Sequence, residues 1–247
     1  MAKMSRISVN VAHAYWERGD TPQRSSPSYT PERFASRLAD VGPEGVYAAY
    51  GKRLFDVVGS FGLLVFFGPV VLTLLALTAL DGGRPVFGHL RIGRNGRPFH
   101  CLKIRSMVVD ADRVLQELLE RDPVRRAEWY RAYKLDDDPR ITRLGAFLRR
   151  SSLDELPQLL NVLRGEMSLV GPRPVPAVEL ERYGRASDVY ASVRPGITGL
   201  WQVAGRNDVS YARRVAMDVH YVRQLGFWRD IGILLATVGA MLNTTGK

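Results

Sequence analysis

Residues 57–80 read VVGSFGLLVFFGPVVLTLLALTAL, 24 positions without a charge. As a straight α-helix, at about 1.5 Å per residue, the run reaches about 36 Å, enough to cross a hydrocarbon core. A soluble helix of this length usually keeps a polar stripe, and none is present, so membrane insertion is the stronger reading. A cleaved signal peptide does not fit, because more than fifty mostly polar residues come first. Two features argue against simple crossing. Gly68-Pro69 lies at the centre, where proline removes a backbone hydrogen bond and predicts a kink. Both flanks are also basic: Lys52 and Arg53 before, Arg84, Arg91, Arg94 and Arg97 after. Both ends therefore favour the cytoplasm. A helix–break–helix that enters and leaves on one face satisfies both, its halves dipping into one leaflet.

Outward from this segment, residues 1–48 are polar and include TPQRSSPSYTPERF at 21–34, which reads as a flexible tail with a short helix from Pro31. Residues 86–104 hold two alternating apolar runs around Arg94-Asn95-Gly96, and an Asn-Gly pair there predicts a hairpin. Met107 to Leu135 has helical periodicity interrupted at Asp122-Pro123. Helices are expected over 146–164, 178–192 and 209–226, with a proline-rich loop at 170–177. The apolar helix 227–242 opens with Phe227-Trp228-Arg229, which suits a head-group boundary and a core position equally well. The expected fold is α+β and mostly α. It comprises the tail (1–48), a re-entrant membrane anchor (49–82), and a small cytoplasmic catalytic domain (83–247) with a short β-hairpin and amphipathic interfacial helices.

Composition narrows the chemistry. Of 247 residues, 46% are hydrophobic and 24% charged, which excludes global disorder. One cysteine excludes a disulfide framework and a cysteine zinc cluster, and the four histidines form no HExxH. The net charge of +10 calls for a polyanionic partner: nucleic acid, anionic lipid or a phosphorylated substrate. A basic membrane-tethered adaptor or nucleic-acid-binding protein is the non-catalytic alternative. It needs a basic face with interleaved aromatics, whereas here basic and acidic residues alternate along the chain, so no nucleic-acid partner is expected.

The most informative stretch is FLRRSSLDELPQLLNVLRGEMSLVGPRP at 147–174. Ser152 and Glu155 have capping-box spacing, so Glu155 reads first as a helix cap. The same placement puts Asp154 and Glu155 in a first helical turn, where free N–H groups favour anions and keep a carboxylate ionised. Arg149 and Arg150 lie just upstream and Arg173 follows in Gly171-Pro172-Arg173-Pro174. Arginine is the bidentate partner of phosphate, so the cluster points to phosphoryl handling. A second basic loop, Arg194 to Gly199, leads to Trp201, a stacking or head-group candidate, and to Gly205-Arg206-Asn207. Asp136-Asp137-Asp138 is a rival metal site, although Asp138-Pro139 equally opens a turn, the favoured reading.

In these motifs the chain resembles the bacterial sugar transferase family, the monotopic phosphoglycosyl transferases acting on polyprenyl phosphates. The resemblance rests on KRLFD at 52–56, the apolar run broken by Pro69, KIRSM at 103–107 and DPRIT at 138–142. It continues through residues 149–174, RPGITGLWQVAGRN at 194–207 and MDVHYV at 217–222, covering roughly 50–245. Larger members carry additional membrane helices and a nucleotide-binding-like domain, so this chain looks like the compact form. One departure is Gly68, where the family often has serine. The resemblance implies transfer of a sugar-1-phosphate from a UDP-sugar to undecaprenyl phosphate, with release of UMP. Asp154 is then the nucleophile and a Mg²⁺ ligand, and Glu155 assists the acceptor phosphate. Arg149, Arg173 and Arg206 fall on phosphate- or nucleotide-binding positions beside Asn207, and Asp218 on a further acidic one. It further implies a monotopic protein of the bacterial inner membrane, facing the cytoplasm and contacting membrane lipids. The sugar, the glycan pathway and the oligomeric state, a homodimer included, are left open.

Overall fold

The computed structural model describes residues 42–132, 135–205 and 209–242; the tail reading for residues 1–41, with its helix at Pro31, lies outside them. A π-helical turn at Tyr47–Gly51 runs into the long helix α1, Lys52–Ala79. There follow β1 (Val86–Ile92), β2 (Pro98–Ile104), α2 (Ala111–Arg121), α3 (Pro123–Ala132), α4 (Arg143–Ser151) and α5 (Gln158–Arg164). The chain continues with β3 (Ser168–Val170), α6 (Ala177–Leu180), α7 (Ser187–Ala191), β4 (Gly196–Thr198), α8 (Leu200–Ala204), α9 (Tyr211–Arg223) and α10 (Phe227–Leu242). The architecture is mostly helical with two small sheets.

Helix α1 joins the two expected halves in one element, with Pro69 inside it. The helical backbone runs unbroken there. Proline deletes a single N–H, and the remaining bonds of a 28-residue helix hold the turn together. Lys52, Asp56 and Ser60, then Val71, Leu74 and Thr78, form its buried side, at helical spacing. Between them Phe61, Val65, Phe66 and Val70 are exposed, as are Leu72 and Leu77 beyond. Both ends grip the same body. Near the start, Arg53 donates to the carbonyls of Val162 and Leu163 on α5, at 2.6 and 2.9 Å. Near the finish, Arg105 donates to the Thr78 carbonyl at 3.0 Å and pairs with Asp81.

The hairpin forms as predicted. β1 and β2 pair antiparallel from Val86↔Ile104 to Ile92↔Pro98, and Asn95 takes the left-handed conformation (φ 58°) that Asn tolerates in a turn. Helices α2 and α3 break where expected, with the Asp122 carboxylate accepting from the N–H groups of Val124 and Arg125. The stretches 146–164 and 178–192, read as single helices, are each interrupted. A parallel β3–β4 pair replaces part of the expected loop at 194–199. The main core joins Phe99 and Cys101 of the hairpin to Leu159, Val162, Met167, Val170, Tyr221, Val222 and Ile233. Leu74 of α1 closes a second cluster with Ile104 and Leu148.

Candidate active site

Three segments meet at the acidic pair. Strand β2 presents Lys103, the turn between α4 and α5 presents Asp154 and Glu155, and the loop after β3 presents Arg173. Lys103 Nζ lies 2.6 Å from Glu155 Oε1 and 3.7 Å from Asp154 Oδ2. Arg173 Nη2 is 3.9 Å from the same Glu155 oxygen. Arg149, at the end of α4, donates its Nε–H to Ser106 Oγ at 2.8 Å. That contact depends on a close approach at Gly145, where a Cβ would overlap the Ser106 carbonyl oxygen.

The capping box does not form. Ser152 adopts the left-handed conformation (φ 57°), its side chain caps nothing, and residues 153–155 make a 3₁₀ turn ahead of α5. A long-range ion pair with Lys103 takes the Glu155 carboxylate that the local pattern had assigned to the backbone. Asp154 therefore sits in a short turn, not in the first turn of an α-helix, and its electrostatics come from burial and neighbours. Burial raises its pKa above the ordinary carboxylate range and Glu155 adds to this, while Lys103 and Arg149 oppose it. For Glu155, burial is outweighed by Lys103 and Arg173, which hold it below that range. The pair is thus divided: Glu155 is an ionised anchor for Lys103, and Asp154 is a poorly solvated carboxylate, 7% exposed, with Lys103 at 3.7 Å as its ion-pair partner among the described residues.

The loop bearing Arg173 is fixed by the parallel pair. Gly171 N–H donates to Thr198 at 2.9 Å and Gly196 N–H to Pro172 at 2.8 Å. A Cβ on Gly196 would overlap the Gly171 nitrogen, so the two backbones meet only because a glycine stands there.

Other predicted residues are placed elsewhere. Asp218 is buried under Tyr183, whose hydroxyl donates to Oδ2 at 2.8 Å, and Oδ1 has no partner among the described residues. It is not brought to the acidic pair. Burial raises its pKa to about 7, against the opposing hydrogen bond from Tyr183. Arg206 and Asn207 lie outside the described residues. Trp201 is buried with Arg214 over its ring at 4.6 Å, so it is neither a free stacking platform nor a head-group anchor. Arg194 is tied to the Gly165 carbonyl at 2.7 Å. Asp138 accepts from Arg140 Nε and Nη2 at 2.8 and 2.6 Å and forms the expected turn. Among the described residues no group of three or more His, Cys, Asp or Glu is arranged to hold a metal ion.

Lys103 and Ser106 were not singled out as site residues from the sequence. Their signal was indirect: both lie in KIRSM, at the exit of a predicted strand.

Residues 47–244 match the bacterial sugar transferase family. The chain is 55% identical over 195 residues to a UDP-galactose-lipid carrier transferase of Erwinia amylovora, covering 79% of this chain and 41% of that protein. It is 51% identical over 195 residues to the undecaprenyl-phosphate galactose phosphotransferase of Salmonella typhimurium, with the same coverage. Exopolysaccharide production protein ExoY of Rhizobium meliloti is 48% identical over 228 residues, 92% of this chain and 98% of that one. The chain thus spans under half the length of the first two relatives and nearly all of the third. With the family match spanning residues 47–244 and a relative 48% identical over 98% of its own length, the chain belongs to the bacterial sugar transferase family.

Proposed function

We propose that this protein transfers a sugar-1-phosphate from a UDP-sugar to a polyprenyl phosphate, through a covalent intermediate on Asp154. The observation that carries the reading is the divided carboxylate pair. Asp154 makes a looser ion pair with Lys103, at 3.7 Å, while Glu155 makes a tight one with the same lysine beside it, at 2.6 Å. A buried carboxylate with an adjacent ammonium suits attack on a phosphorus centre, where positioning and charge neutralisation supply most of the acceleration.

In the first step an Asp154 oxygen bonds to the sugar-bearing phosphorus. The bond from that phosphorus to the bridging oxygen breaks, and UMP leaves with the electron pair. In the second step a phosphate oxygen of the acceptor attacks the same phosphorus. The bond to Asp154 breaks, and the carboxylate returns as polyprenyl-diphosphate sugar departs. A phosphate monoester is largely dianionic near neutral pH and needs no base, so Glu155 serves by holding Lys103 and orienting charge. Arg173 and Arg149 border the same space and neutralise phosphate oxygens.

Mg²⁺ fits this donor set in one way. Glu155 is engaged by Lys103, so Asp154 would be the residue that holds the cation, together with phosphates of the substrate. When bound, Mg²⁺ supplies neutralisation of the diphosphate charge.

We propose further that α1, continuous but kinked at Pro69, dips into one leaflet and returns, with the catalytic body on the cytoplasmic face. Support comes from Arg53 and Arg105, which tie opposite ends of α1 to one folded body, and from the exposed apolar residues between. Exposed Trp228, Leu235 and Val238 on α10 supply an interfacial face. Accessibility labelling of residue 50 and of the catalytic body from the same side of sealed vesicles checks this; opposite sides would refute it.

The decisive experiment incubates purified protein with a panel of UDP-sugars and Mg²⁺, without acceptor, and reads UMP and the mass of the Asp154 peptide. One equivalent of UMP and a hexosyl-phosphate adduct on Asp154 are expected. Turnover with undecaprenyl phosphate but no adduct would overturn the covalent route.

A further inference from the structure

Among the described residues, most half-buried arginines are hydrogen-bonded or closely ion-paired to acceptors. Arg53 binds two carbonyls, Arg105 binds Asp81, Arg140 binds Asp138 and Arg194 binds the Gly165 carbonyl. Arg91, half-buried near the end of β1, has no hydrogen bond or ion pair among the described residues. Its place is well fixed. The Ile92 N–H donates to the Val175 carbonyl at 2.9 Å, and Tyr190 binds both the Ile92 carbonyl and the Val175 N–H. Strand β1 is thereby stitched to the chain two residues beyond Arg173. Through the hairpin register, Arg91 shares a face with Cys101 and Lys103 of β2. Arg173 itself reaches only Glu155, at 3.9 Å, beyond hydrogen-bond distance.

The charge here is only partly compensated. Burial holds Arg91 below the usual guanidinium range, with Arg173 adding repulsion and nearby Glu179 only partly offsetting it. His89, two residues earlier on the same strand, is pushed down to about 4, by burial first and then by Arg91 and Lys103. A folded chain tolerates an unpaired, partly desolvated cation beside another cation at a cost, and ligand sites are where such costs are kept.

We infer that Arg91 and Arg173 form a two-guanidinium receptor for the diphosphate of the sugar donor, with Arg91 a binding residue the sequence motifs had left as a mere flank of the membrane segment. The inference rests on the proposed transferase reading and names the residue that grips its substrate. Two planar forks, held by the β1–Val175 tie, suit the non-bridging oxygens of adjacent phosphates, and Lys103 and Asp154 lie at the neighbouring phosphorus.

The test compares wild type with Arg91→Gln, Arg91→Lys and, for charge alone, Arg94→Gln in the hairpin turn. Thermal unfolding is measured with and without UDP, and KM values are measured for donor and acceptor. UDP is expected to stabilise the wild type and Arg94→Gln alike. Arg91→Gln is expected to bind UDP about ten- to a hundredfold more weakly, with an unliganded Tm equal to or above wild type, because an unsatisfied cation has been removed. Arg91→Lys, which keeps charge without the fork, should fall between. An unliganded Tm that drops in Arg91→Gln marks a structural role and overturns the inference, as does unchanged UDP affinity. A rise in acceptor KM alone also overturns it, by assigning the site to the lipid phosphate. Failure of UDP to stabilise the wild type would instead count against the transferase reading itself.

Discussion

Two clusters in this protein have the same ingredients, one lysine between two carboxylates, and opposite character. At the base of α1, Lys52 Nζ lies 3.2 Å from Asp56 and 2.9 Å from Asp230. Tyr47 and Tyr221 donate to Asp230, and Ser168 and the Leu169 N–H donate to Asp56. Both carboxylates are at most 1% exposed. At the candidate active site, Lys103 is 27% exposed, one of its two acids lies at 3.7 Å, and that acid has no hydroxyl or amide donor from another of the described residues. Asp230, held on both oxygens by Tyr47, Tyr221 and Lys52, is spent as structure, although Asp56 beside it keeps Oδ2 buried without a partner among the described residues. Asp154, left short of donors, keeps its lone pairs for a reaction, at a cost to the fold.

The sharpest way to break this contrast is to neutralise one acid in each cluster. Asp154→Asn should lower UMP release by at least about 10³-fold, with unfolding in urea little changed. Asp230→Asn should do the reverse, costing about 3–5 kcal/mol in urea unfolding because Lys52 is left buried with weakened compensation. Equal stability losses in the two variants would erase the distinction.

Lys103→Met gives the next largest effect, a fall of about a hundredfold in single-turnover rate. It also has a signed pH signature. Lys103 opposes the burial that raises Asp154, so its removal lifts that pKa further and moves the acid limb of the pH–rate profile to higher pH. An unmoved limb would detach Asp154 from the profile.

Asp218 shares with Asp56 a buried oxygen without a partner among the described residues, its other oxygen being bonded by Tyr183. Its folded pKa of about 7 exceeds the model-peptide value of 3.8, so the folded state holds the extra proton between those limits. Its contribution to stability is present below about pH 4 and is lost as pH rises through about 7. Asp218→Asn should flatten that slope, raising Tm by a few degrees at pH 8 relative to wild type and by less at pH 5. Parallel Tm–pH curves would refute it.

Much of this was legible in the sequence, and the misses share a physical cause. Asn95 announced its hairpin, and Asp122-Pro123 its helix break, because turn chemistry acts within four residues. The Asp154–Glu155 pair stood out by its neighbouring arginines. Ser152 and Glu155 misled: their spacing satisfies a local rule, but Lys103, some fifty residues earlier, outbids the backbone for the carboxylate. Three-residue strands around Gly171 and Gly196 carry no periodicity, so their pairing became visible only in three dimensions. The same holds for Arg91, whose meaning depends on what it lacks.

The stretch from Lys103 to Ser106 has a wider consequence. Lys103 fixes Glu155 and Ser106 fixes Arg149, so one strand exit acts as a ruler against which two later segments are measured. Sliding β2 by a single residue turns Lys103 to the opposite face of the sheet and pulls both marks out of alignment. Lengthening or shortening the surface loop Gly93–Arg97 by one residue is therefore equivalent to editing the reaction centre from a distance, and the hairpin's length is as constrained as the chemistry it serves.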